Sequence, residues 1–147
     1  MPVQVEPAVT EIANALRPVV MRLARELRKE TAHLGVTGSQ VTLLWLISEN
    51  PGIGLRELAD RERIATPTAS GLVDRLERAR LVARVRSDTD RRRVGLTITP
   101  AGIDMLSEAR ERRTVWLTDR VERLSPDERA ALHAAVEPLA ALISDEP

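Results

Sequence analysis

One stretch of the chain alternates with the period of a half-buried strand. In VGLTIT, residues 94–99, Val94, Leu96 and Ile98 fall on one face and Gly95, Thr97 and Thr99 on the other, the two-residue repeat that a pleated strand imposes. Most of what surrounds it repeats every three or four residues instead. A lone hairpin is marginal in water and needs a helical layer to cover it, so the expected fold is mainly α with one small β-hairpin. At 147 residues the chain has the length of one domain. Its core must be aliphatic, because 43% of the residues are hydrophobic yet the aromatics are two Trp, with no Phe or Tyr.

The helical signals come in order. A first helix spans about residues 7–31, with Val9, Ile12, Ala13, Leu16, Val20, Leu23 and Leu27 at three- and four-residue steps and Pro18 as an expected kink. Thr37 caps a helix to about residue 48 that carries Val41, Leu44 and Trp45 and stops before ENPG, and a short helix follows over residues 55–61. Thr66-Pro67 reads as a hydroxyl at the N-cap with proline in the first helical position, where its missing N–H is harmless. The same pair at Thr99-Pro100 opens a long helix to about residue 124, and Ser125-Pro126-Asp127-Glu128 forms a capping box for the last, which contains Pro138.

Charge is balanced overall and uneven locally. The chain has 22 basic and 22 acidic residues, but residues 56–93 hold 11 arginines against 7 acids, whereas residues 94–147 hold 6 against 10. The surplus culminates in SDTDRRR just before the strand, at the expected hairpin tip. A basic cluster in a compact segment is the footprint of a nucleic-acid module, with a solvated, salt-bridged face as the other reading.

Helix, short helix, tight turn, capped helix and hairpin make a helix-turn-helix with a two-stranded wing. On the capped helix, Ala69, Leu72, Val73 and Leu76 form the inward stripe, leaving Thr68, Ser70, Gly71, Asp74, Arg75 and Arg78 outward. Small hydroxyl side chains let a helix approach base edges closely, and a guanidinium suits guanine or phosphate equally. An ordinary amphipathic helix with a solvated face would show the same stripe.

The run GLRELADRERIATPTASGLVDRLERARLVARVRSDTDRRRVGLTITPAG, over about residues 55–102, resembles the MarR family of bacterial winged-helix regulators. TGSQVTLLWLI, residues 37–47, fits the preceding helix, and Asp88-x-Asp90-Arg91-Arg92 followed by LTITPAG is the most telling match. The resemblance implies a homodimer with intertwined terminal helices, residues 1–36 and 100–147, around a DNA-binding lobe at 37–99. It also implies repression relieved by a small molecule, often an aromatic carboxylate or phenol. On this reading Thr66, Thr68, Ser70, Gly71, Arg75, Arg78, Arg91, Arg92 and Arg93 face DNA, while Asp90 and Arg84 brace the wing. The chain departs from the family pattern at Arg63 and Arg80, where glycine is common, at Ala65 in place of serine, and at Gly71 in place of an arginine, so no operator sequence is carried over.

The first and last helices carry long aliphatic stripes, Leu132, Ala135, Val136, Leu139, Leu142 and Ile143 in the last. A second copy is the expected cover, and packing of first helix on last within one chain is the alternative. By resemblance an effector lies between the dimer helices and the lobe, with Trp45 and Trp116 as walls and Arg22 or Arg112 for an anion. Catalysis is not expected: there is no Cys, only His33 and His133 as imidazoles, and no HExxH, GxGxxG or Walker loop. Neither a metal nor a cofactor is expected. With no membrane span or signal-peptide layout, the expected setting is the cytoplasm and the expected partner a pseudo-palindromic duplex. A winged helix that only holds protein partners is the alternative function.

Overall fold

The computed structural model describes residues 7–87, 90 and 92–144. Its elements run α1 (Pro7–Lys29), a 3-10 turn (Ala32–Leu34), α2 (Gly38–Glu49), α3 (Leu55–Glu62), α4 (Thr66–Arg78), β1 (Val82–Arg86), β2 (Val94–Ile98), α5 (Pro100–Val121) and α6 (Pro126–Ala141). This is the mainly α chain with one hairpin that the periodicities predict. Among the described residues no helix is long and apolar enough to cross a membrane.

The helix starts show how the sequence writes its boundaries. Thr37 and Ser125 each make a reciprocal capping box, with Gln40 and with Glu128, satisfying two orphan N–H groups at each helix start. Thr99 Oγ1 accepts the N–H of Gly102 at 3.1 Å and donates to the Arg80 carbonyl at 2.6 Å, so Thr99-Pro100 caps α5 as expected. Thr66-Pro67 does not repeat this. Ala65 is the N-cap of α4, no side chain caps the helix, and Thr66 is already inside it. The chain enters α4 from an extended Ala65 one residue early, which turns the Thr66 hydroxyl outward. α1 ends at Lys29 rather than near residue 31, because Thr31 Oγ1 donates to the Arg28 carbonyl at 3.1 Å and the chain leaves through the 3-10 turn to a left-handed Gly35.

The chain divides into two compact units at Arg113 and Thr114. The first holds the aliphatic core: Leu43, Leu44 and Ile47 of α2, Leu58 of α3, Val73 and Leu76 of α4, Leu96 of β2 and Ala109 of α5 are buried. Removing one such leucine from water contributes roughly 1.5–3 kcal/mol. Trp45, expected with that set, stays half exposed on α2. The second unit contains α6, in which no residue is buried and Leu132, Val136 and Leu139 are exposed.

The hairpin is antiparallel, in a register running from Val82↔Ile98 through Arg84↔Leu96 to Arg86↔Val94. Its root is pinned from a third side. The N–H of Gly52 donates to the Leu96 carbonyl and the N–H of Leu96 to the Ile53 carbonyl, each at 2.8 Å. That approach requires Gly95, because a Cβ there would sit 2.5 Å from the Gly52 carbonyl oxygen. The alternation read from the sequence does not appear as alternating burial: Gly95 and Leu96 are both buried, Thr97 and Ile98 are both half-buried, and Val94 towards the tip is 44% exposed.

Candidate nucleic-acid interface

The turn between α3 and α4 is built by backbone. α3 closes on Arg63, whose N–H donates to the Asp60 carbonyl at 3.1 Å while the N–H of Ile64 donates to that of Ala59 at 3.0 Å. With Ala69, Val73 and Leu76 buried and Leu72 partly buried, α4 presents Thr66, Thr68, Gly71, Arg75 and Arg78 to solvent, and Ser70 at the margin. Nothing lies within 4 Å of a Cβ built on Gly71, so the middle of this face is open backbone. Arg75 and Arg78 enter no ion pair among the described residues.

The wing is held to this helix by one side chain. Arg84 of β1 donates through Nε to Glu77 at 2.7 Å and through Nη2 to Asp74 at 2.8 Å, both on α4. The hydrogen bond to Glu77, foremost, together with the neighbouring carboxylate of Asp74, raises the Arg84 pKa against the opposing pull of burial, so the clamp stays charged. It also takes two acids of α4 out of competition with the arginines of the same face.

At the tip, Asp90 does both things its residue type permits. Its Oδ1 accepts the N–H of Arg92 at 3.0 Å, an Asx turn, and its Oδ2 lies 3.8 Å from Nε of Arg93. Arg92 is exposed, and Arg93 is 85% exposed despite that contact. Arg91 and Asp88 lie outside the described residues. Two cations not singled out by the sequence, Arg86 of β1 and Arg56 of α3, line a groove of about 730 Å³ with Arg93, Glu57 and Asp60. Their register against one another appears only once the hairpin is folded beside α3.

The four residues expected at an effector site lie on α1, α2 and α5. Arg22 is exposed on α1, Trp45 is half exposed, and Arg112 pairs with Glu108 at 3.0 Å. In the second unit the Arg120 guanidinium covers Trp116, 3.6 Å from the ring centroid. A different cavity, about 320 Å³, is lined by Arg28, Gly38, Ser39, Thr42, Glu62 and Arg113. Arg113 Nη2 donates to the fully buried Thr31 at 3.4 Å, and its Nε is buried without a partner. Burial, then the charge of Arg28, lowers the Arg113 pKa. Gly38 makes room for the Arg28 stem, which a Cβ there would meet at 2.6 Å. Sequence periodicity carries no signal for this pairing of residues far apart in the chain. Among the described residues no group of His, Cys, Asp or Glu could hold a metal ion.

Comparison with known proteins gives the same picture from outside. The MarR family model matches residues 36–94. An uncharacterized HTH-type transcriptional regulator of Mycobacterium leprae is 30% identical over 136 residues, 92% of this chain and 95% of its own length. Among solved structures, a MarR family protein from Bacillus stearothermophilus superposes with a TM-score of 0.80 at 26% identity, covering 96% of this chain and 99% of that one. A mutant of MepR from Staphylococcus aureus bound to an oligodeoxyribonucleotide shares the fold with a TM-score of 0.68 at 20% identity, over 90% of this chain and 97% of that one.

Proposed function

Because this chain belongs to the MarR family of DNA-binding transcriptional regulators, we propose that it acts as a homodimeric repressor that a small aromatic acid or phenol releases from a pseudo-palindromic operator. Members of the family are transcription regulators rather than enzymes. In this reading α4 enters the major groove with Thr66, Thr68, Ser70, Gly71, Arg75 and Arg78. The wing reaches the flanking minor groove or its phosphates with Arg91, Arg92 and Arg93, and the setting is the cytoplasm. The observation that carries it is the Arg84 clamp, which ties the wing to the exposed face of α4 through Asp74 and Glu77. Two elements presented as one rigid surface suit two adjacent grooves better than they suit solvent. The oligonucleotide bound by MepR, a protein of the same fold, supports the choice of partner.

Dimerisation through residues 1–36 and 100–147 is supported by what one copy leaves uncovered. Ile12, Val19, Val20 and Met21 of α1 and Leu132, Val136 and Leu139 of α6 are exposed, and unpaired apolar faces of this kind mark interfaces. Two-fold symmetry then places half-site centres about one helical turn apart, roughly 10 bp. For the effector we propose the Arg28–Arg113 cavity in place of the Trp45 and Trp116 walls. A buried guanidinium nitrogen without a partner beside a second cation is relieved by a carboxylate.

Selecting bound fragments from genomic DNA with the purified protein, then footprinting them, tests the reading. Dyad-symmetric sites protected on one face of the duplex are expected. Recovery of no enriched sequence would point to a winged helix that serves only protein partners.

A further inference from the structure

Among the described residues two other than glycine hold a left-handed backbone, and they bracket α4: Arg63 with φ 54° and ψ 40° before it, and Arg80 with φ 61° after it. A Cβ crowds the following carbonyl in this region, so glycine is the unstrained choice at both positions. Each residue closes a helix with its backbone alone, Arg63 through the Asp60 carbonyl and Arg80 through the Glu77 carbonyl. The side chains add nothing to that closure. Arg63 is exposed and makes no hydrogen bond or ion pair among the described residues, although Asp60 and Glu62 are its near neighbours in the chain. Helix ends do not account for the charge either, since the negative end of α3 and the positive end of α4 meet at this turn and oppose each other there.

Neither arginine is there for the sake of its backbone conformation; position separates the two. Arg63 stands three residues before Thr66, at the end of α4 whose hydroxyls are free and exposed. Arg80 stands at the other end, level with the root of the wing, where Thr99 holds its carbonyl and Val82 pairs with Ile98. The first residues of a recognition helix lie in the groove, and phosphates run alongside them. We propose that Arg63 is a DNA-phosphate contact of the helix-turn-helix turn, a cation used only in the complex, and that Arg80, a cation at the negative C-terminal end of α4, lies outside the footprint. The inference rests on the reading that α4 docks on DNA.

The test compares Arg63→Gly, Arg63→Asn and Arg80→Gly with the wild type, measuring melting temperature and affinity for a selected duplex and a scrambled one across a salt series. Both glycine variants should melt about 2–4 °C higher, the shift that relief of a left-handed side chain gives a domain of this size. Arg63→Gly should bind selected and scrambled duplexes alike more weakly, on the order of tenfold. Its slope of log affinity against log salt should flatten by about 2 units per dimer, since one phosphate contact is lost on each copy. Arg63→Asn, neutral but at ease in the left-handed region, should lose binding equally, which separates charge from flexibility. Arg80→Gly should keep wild-type affinity and slope. Unchanged affinity and slope in both Arg63 variants overturns the contact, and so does an equal loss in Arg80→Gly. If the wild type itself binds no duplex, the DNA reading fails first, and that result is distinct from either.

Discussion

Arg84 and Glu77 are joined across the junction of wing and recognition helix at 2.7 Å, and the same guanidinium holds Asp74 at 2.8 Å. The three side chains are between 36% and 45% exposed, so screening limits the stability they confer to about 1 kcal/mol. Arg84→Ala should therefore lower the melting temperature by only about 2–4 °C. Its effect on DNA binding should be larger, roughly tenfold or more, because the wing is no longer held at one angle to α4. Arg84→Lys, with a point charge in place of a fork, should recover only part of this. Equal, small losses in both properties would mean that the clamp is merely structural.

The arginines of the tip should behave in the opposite way to a core residue. Replacing Arg91 and Arg92 by Ala should leave stability within about 0.5 kcal/mol. The salt slope should flatten by up to ~4 units, at about 0.9 per phosphate contact and two wings per dimer. Circular dichroism checks the first expectation and titrations at several salt concentrations the second.

Gly71 sits mid-helix with open space where a Cβ would be. Gly71→Ala should stabilise the free protein by about 0.5–1 kcal/mol. If α4 packs its backbone against base edges at this point, the same methyl should weaken operator binding. A mutant that is both more stable and equally tight in binding would move Gly71 off the contact surface.

Sedimentation at micromolar concentration should give about twice the 16.3 kDa of one chain. Val136→Asp together with Leu139→Asp, both exposed on α6, should yield monomers that keep their helical signal, because neither side chain belongs to the buried core. Operator binding should fall with the dimer.

Arg113→Leu should remove the anion site proposed at the Arg28 cavity while leaving DNA binding intact. The expected result is a repressor that benzoate no longer releases at concentrations that release the wild type. Calorimetry with benzoate on the free protein separates lost binding from lost coupling.

What the sequence made legible was whatever is written locally. The Ser125 capping box, the Thr37 and Thr99 caps and the Ala69–Val73–Leu76 stripe each depend on residues within a few positions of one another, and each is found; the Gln40 partner that makes Thr37 a full box is added by the structure. Thr66-Pro67 misled because an identical dipeptide fits two cap registers, and the choice is made by the extended Ala65 before it. The burial of Leu43, with no place in the spacing read from Val41, Leu44 and Trp45, was not legible. The exposed face of α4 followed from the stripe by subtraction. The meeting of Thr31 with Arg113 and of Arg28 with Gly38 did not, since contacts between distant segments leave no period in the chain.

Leu96 and Arg84 face each other across the hairpin, and each is the anchored member of its strand, one to the Gly52–Ile53 backbone and the other to α4. That rung is a fulcrum. Val85 and Arg86 on one strand and Val94 on the other lie beyond it, and a small rotation at the rung is multiplied towards the tip. Two copies would turn such levers into a caliper whose opening is set at the fulcrum and felt at the arginines, so a regulator of this build can change its grip on a duplex through a rung that does not itself touch it.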